Sequence, residues 1–140
     1  MTLIASPLVL CVAGALIDTD GRVLLAQRPE GKMMAGLWEF PGGKIESDET
    51  PEAALARELY EELHINIDPN VLVPLAFSSH AYDAFHLLMP LFSCRAWQGE
   101  IRPREGQKIV WVESDRLTDY PMPPADVPLI PAVSGCGKSE

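Results

Sequence analysis

Thirteen residues, Pro51 to Leu63 (PEAALARELYEEL), carry the pattern that most limits how this chain folds. Leu55, Leu59 and Leu63 recur every fourth residue, so on an α-helix they form one apolar stripe that must be buried against another element. Thr50 is placed to cap this helix, and Pro51 suits its first position, where a missing N–H is no loss. Glu58, Glu61 and Glu62 converge as well, because residues three and four apart share a face. At about 100° per residue, their centre lies roughly 100° around from the leucines. The acids flank the core without entering it, where the wall of a cleft would lie.

Crowding these acids carries small costs. Glu58 and Glu62 form a like-charge i,i+4 pair, worth roughly 0.2–0.5 kcal/mol of destabilisation, and they sit in the half of the helix whose dipole disfavours anions. Arg57 can reach Glu61, but one arginine cannot neutralise three carboxylates. A hard divalent cation with oxygen ligands can. The competing reading of the helix alone is a solvated acidic face. The net charge of −9 over 140 residues argues against a nucleic-acid polymer as partner, because such binding comes from Lys and Arg neutralising phosphates. An anionic small substrate would need a cation to bridge the repulsion.

The other segments place this helix in a single domain, residues 1–140, of α/β (α+β) class. Leu8–Ile17 and Arg22–Gln27 read as strands joined by the turn DTDG into a hairpin, and a long Gly- and Pro-broken loop follows. Leu72–Phe77, Phe85–Trp97 and Lys108–Val112 read as further strands, ESDRL as a short helix, and DYPMPPAD as a loop. Asp126 is placed to cap a last short helix that Pro131 limits. The apolar run LVLCVAGALI lacks a preceding Lys or Arg and is too short to span a bilayer, so it reads as a buried strand and no membrane is expected. Cys11, Cys94 and Cys136 form no CxxC or Cys/His cluster and read as reduced thiols in a cytoplasmic protein, Cys136 exposed in a Gly-flanked tail.

From Gly43 the spacing is Gly, five residues, Glu49, seven residues, Arg57-Glu58-Leu59-Tyr60-Glu61-Glu62, one residue, His64-Ile65. This resembles the Nudix box, G-x5-E-x7-R-E-U-x-E-E-x-G-U with U apolar, at every defined position except the second glycine, which is His64. The resemblance extends to LLAQRPEGKMMAGLWEFPGGKIE before the box, to GE…REGQ…W after it, and to PPADVPLI, and is to the MutT-like branch. A glycine past a helix end serves a left-handed backbone, which histidine tolerates at a cost near about 1 kcal/mol.

The resemblance implies a Nudix-type α/β/α sandwich with a mixed central β-sheet. It also implies Mg2+, with Mn2+ as substitute, held by Glu58, Glu61, Glu62, Glu105 and the Gly42 carbonyl. Water attacks a nucleoside triphosphate to release monophosphate and pyrophosphate. Glu58 is the favoured base, with Glu105 its rival, and Lys44 stabilises developing charge. Glu49 and Arg57 form a bracing ion pair. Arg28, Glu39, Phe40, Pro41, Gly42 and Asp126 fall where the family contacts substrate, although Phe40 could equally fill the core. His80 and His86 receive no role. No protein partner is required, as monomer or homodimer.

Asp126 stands where relatives reading 8-oxoguanine often carry Asn. An ionised Asp only accepts hydrogen bonds, so it suits the N7–H of the oxidised base or the exocyclic amine of cytosine, and if protonated it could serve O6 as well. The resemblance thus implies 8-oxo-dGTP hydrolysis, with CTP, dCTP or modified pyrimidine triphosphates as the alternative. A non-catalytic binding module of the same fold is a third reading, which three retained like charges disfavour.

Overall fold

In the computed structural model, residues 7–137 are described. The elements are β1 (Leu8–Leu16), β2 (Val23–Gln27), β3 (Trp38–Glu39), β4 (Gly42–Lys44), α1 (Pro51–Leu63), β5 (Val73–Ala81), β6 (His86–Cys94), β7 (Ile109–Val112) and α2 (Ile130–Gly137). Short 3-10 turns cover Pro69–Val71, Leu117–Asp119 and Val127–Leu129.

The expected central layer is present but divided. A four-stranded mixed sheet runs β4-β1-β6-β5, with β1 and β6 parallel, and a three-stranded antiparallel sheet runs β3-β2-β7. Strand periodicity sends alternate residues to opposite faces. Val12 and Leu16 of β1, Leu24 of β2, and Phe92 and Cys94 of β6 meet Leu55, Leu59 and Leu63 of α1. Ala13, Ala15, Val23, Leu25, Leu87, Met89 and Leu91 meet Leu129, Ile130 and Val133 on the other side. Helix packing on both faces gives the expected sandwich.

The expected β1–β2 hairpin is only a turn. The Gly21 N–H donates to the Asp18 carbonyl at 3.0 Å, and a single bridge joins Ile17 to Val23 before the strands part into different sheets. Val12–Leu16 and Val23–Ala26 are buried on both faces, and β1 takes β4 and β6 as neighbours while β2 takes β3 and β7. Two short strands, β3 and β4, lie in the segment expected to be loop. The ESDRL segment forms a turn, with 3-10 geometry only from Leu117. Pro131 lies in the first turn of α2, where proline is tolerated, and does not end it. Cys136 is half-buried against the core, and all three cysteines are free thiols. Among the described residues no helix is long and apolar enough to cross a membrane.

Helix α1 has the expected boundaries. Thr50 Oγ1 accepts from the Ala53 N–H at 3.1 Å, and His64 takes φ 63°, ψ 33° with its N–H donating to the Tyr60 carbonyl at 3.0 Å. Replacing His64 with Gly relieves that left-handed strain. His64→Gly is expected to raise stability by about 1 kcal/mol or less, read as a higher Tm.

Candidate active site

The last turn of α1 would leave carbonyls unpaired. The loop before β7 satisfies them: the Arg102 N–H donates to Leu63 O and the Arg104 N–H to Glu62 O, both at 2.9 Å, and Gln107 Nε2 donates to Glu62 O at 3.1 Å. Gln107 Oε1 in turn accepts the Glu105 N–H at 2.8 Å. Capping the helix thus brings Glu105, some forty residues downstream, beside the α1 acids. Arg104 Nη1 lies 2.6 Å from His64 Nδ1, and because arginine only donates, that ring nitrogen accepts.

Glu58, Glu61, Glu62 and Glu105 line one cleft of about 520 Å³ with Arg28, Glu39, Gly42 and Lys44. Arg57 binds two of these acids without lining the cleft. It reaches Glu49 through Nε at 2.6 Å and Nη2 at 2.9 Å, Glu58 at 3.1 Å, Glu61 at 3.3 Å and the Lys44 carbonyl at 3.0 Å. The hydrogen bond from Arg57, ahead of one from the Glu46 N–H, holds Glu49 down to about 2. The expected brace between the β4 loop and the helix is present, and Arg57 also binds two of the acids it flanks.

Two glycines make room for this arrangement. A Cβ on Gly42 would strike the Val12 carbonyl, so β4 approaches β1 only without one. A Cβ on Gly43 would overlap the Glu58 carboxyl. Gly43→Ala is therefore expected to displace Glu58 and lower kcat about tenfold with the fold retained, checked by steady-state rates beside circular dichroism.

Glu62 is half-buried, and its carboxyl is held well above the usual range by burial, then by the hydrogen bond with Glu58 and the charges of Glu58, Glu105 and Glu39. As the side chains stand, no three His, Cys, Asp or Glu among the described residues surround one point as a metal would gather them. Arg57 is the reason for two of them, since it draws Glu58 and Glu61 to itself. The donor set nevertheless suits a hard divalent cation: carboxylate oxygens in excess of positive charge, one of them seated where Gly43 leaves a gap.

A second cavity, of about 360 Å³, opens from the first. Cys11, Arg28, Glu39, Gly42, Gly43 and Lys44 line both. Arg28 Nη1 pairs with Glu39 Oε1 at 3.0 Å and its Nε donates to the Met33 carbonyl at 2.6 Å, fixing the shared wall. Burial raises Glu39 against the opposing pull of Arg28. Phe85, Leu87 and Met89 give this second cavity apolar walls, and Asp126, which also lines it, is buried (5% exposed).

Asp126 does not cap the following turn. It adopts helical φ, makes no cap hydrogen bond, and its Oδ2 accepts the Phe40 N–H at 3.1 Å. The strand-end N–H wins because both groups are buried and would otherwise be unpaired. Burial first, then the Glu39 charge, pushes Asp126 up to about 7. Phe40 belongs to the core (3% exposed) and contributes its backbone more than its ring. Pro41 is buried and lines neither cavity, because its carbonyl is taken by the Gly14 N–H at 2.8 Å. Of the other sequence-selected residues, Glu49 and Arg57 line neither cavity, and the rest meet at one or both. Gln107 and Tyr82 were missed because each acts across long sequence separations that leave no local pattern; the steric role of Gly43 was missed as well.

A NUDIX domain family model matches residues 12–132. The CTP pyrophosphohydrolase of Escherichia coli K12 is 40% identical over 123 residues, 86% of this chain and 88% of that protein. The 8-oxo-dGTP diphosphatase of Proteus vulgaris is 39% identical over 94 residues, 67% of this chain and 82% of that protein. The solution structure of the E. coli ORF135 protein superposes with a TM-score of 0.81 at 34% identity, covering 93% of this chain and 91% of that one.

Proposed function

The chain belongs to the Nudix hydrolase family, and on that premise we propose that it hydrolyses 8-oxo-dGTP to 8-oxo-dGMP and pyrophosphate with Mg2+. The observation that carries this reading is the joined pair of cavities: a carboxylate-walled cleft that suits a cation and a polyphosphate, continuous with an apolar chamber that holds a buried carboxyl. That is the division of a nucleoside triphosphate into its charged and its aromatic end.

Nudix hydrolases use divalent metal ions. In this reading Glu58, Glu61, Glu62, Glu105 and the Gly42 carbonyl hold Mg2+, which when bound neutralises phosphate oxygens and acidifies water. Glu58 takes the proton of the attacking water; its carboxylate is already set by Arg57 and by the gap at Gly43. Glu105 is the rival base. Lys44, on the shared wall, faces charge developing on the phosphates. Arg28 holds Glu39, and the pair divides phosphate from base. Asp126 reads the base.

A second reading has its own support: a buried acceptor at Asp126 suits the cytosine amine, and a CTP pyrophosphohydrolase is among the relatives. The test is kcat/KM for 8-oxo-dGTP, dGTP, CTP and 5-methyl-dCTP. A preference for 8-oxo-dGTP over dGTP supports the first reading. Equal values for those two, with CTP or 5-methyl-dCTP ahead, replace it with the second. Binding of triphosphates without any turnover would make this a binding module.

A further inference from the structure

We propose that the hydroxyl of Tyr82 is the donor half of the base-reading pair, supplying the hydrogen bond that an accepting Asp126 does not. The inference rests on the nucleotide reading above.

Tyr82 sits at the tip of the β5–β6 hairpin, where its N–H donates to the Phe85 carbonyl at 2.8 Å. Its ring is held by Phe85, with centroids 5.1 Å apart, and by His80, 4.6 Å away edge-on. The hydroxyl oxygen accepts the Ala125 N–H at 3.2 Å. A phenol has one O–H to donate besides its acceptor lone pairs. Ala125 uses an acceptor position, and among the described residues the Tyr82 O–H donates to no protein group. Its partner in the chain, Ala125, directly precedes Asp126, and Tyr82 and Asp126 line the same chamber.

The Phe40 N–H occupies Asp126 Oδ2 and leaves the other oxygen for a ligand. Where the Tyr82 hydroxyl meets Ala125–Asp126, the chamber therefore presents an acceptor beside a donor. It matches a base edge with a donor beside an acceptor: N7–H and O6 of 8-oxoguanine, or the amine and N3 of cytosine. Unmodified guanine presents two acceptors, N7 and O6, on that edge, and its N7 would face the Asp126 carboxylate unpaired.

Tyr82→Phe keeps the ring, both aromatic contacts and the chamber wall. The probes are 8-oxo-dGTP with its analogue lacking O6, and CTP with 3-deaza-CTP. The expected result is a loss in kcat/KM of about tenfold or more on the complete base, carried by KM with kcat nearly kept. On the analogue the variant and the parent protein are expected to match, because the hydroxyl has nothing to donate to. An equal loss on both members of each pair would show that Tyr82 only positions the Ala125 backbone, and would overturn the inference. So would no loss on either. If the parent protein hydrolyses none of these triphosphates, the nucleotide reading itself falls and takes this inference with it.

Discussion

Glu62→Gln is expected to lower kcat for triphosphate hydrolysis about a thousandfold while leaving the fold intact. Glu62 is half-buried between Glu58 and the Glu105 loop, and its backbone carbonyl is what Gln107 and Arg104 hold. Glutamine fits the same space, so the scaffold has no steric reason to change. What is lost is one anionic oxygen donor toward the cation. Thermal stability supplies an opposite readout. Glu62 is an acid whose folded pKa is raised, chiefly by burial and then by Glu58. Its contribution is therefore intact below the ordinary carboxylate range and is lost as pH rises toward the raised value. In chelator at pH 8, Glu62→Gln is expected to melt no lower than the parent protein, and Mg2+ is expected to raise the Tm of the parent more than that of the variant. Parent-like kcat in the variant, or equal stabilisation of the two proteins by Mg2+, would remove Glu62 from the site.

Asp126→Asn is expected to reduce kcat/KM for 8-oxo-dGTP, and for CTP and dCTP, about a hundredfold. The buried Phe40 N–H requires an oxygen opposite it, which in the variant must be the amide oxygen. The amide NH2 then faces the chamber. There it opposes, donor for donor, the cytosine amine or the N7–H of 8-oxoguanine that the free Asp126 oxygen accepts. The same substitution removes a pH dependence. Asp126 is held up at about 7 by burial and by Glu39, so its ionisation lowers stability as pH rises from near 4 to near 7, with no further change above. Asp126→Asn should lack that part of the slope in denaturation measured at successive pH values. A parent-like kcat/KM on both base types would mean that Asp126 does not read the base.

Much of the carboxylate cleft was legible because its parts are local. The leucine stripe, the Thr50 cap, the left-handed His64 and the Glu49–Arg57 pair all depend on spacings of a few residues to about eight. Sheet pairing was not legible in that way. β1 and β2 adjoin in sequence through a four-residue turn, yet β1 pairs with β6 seventy-eight positions on, and no local signal fixes that choice. The base chamber depends on equally distant contacts. Asp126 meets Phe40 across 86 residues and Tyr82 meets Ala125 across 43. The same residue that reads as an N-cap in its local setting is turned away by a buried N–H that the local sequence does not contain. Gly43 could have been found as more than a motif position, because a glycine beside a helix acid is a place where backbone and carboxylate approach closely.

The most direct measurement is a product balance for 8-oxo-dGTP incubated with the protein and Mg2+, with pyrophosphate and free phosphate quantified separately and a matched sample in EDTA. Equimolar 8-oxo-dGMP and pyrophosphate, abolished by EDTA and restored by added Mg2+, is the predicted result. Free phosphate as the sole inorganic product, or turnover indifferent to EDTA, would contradict it.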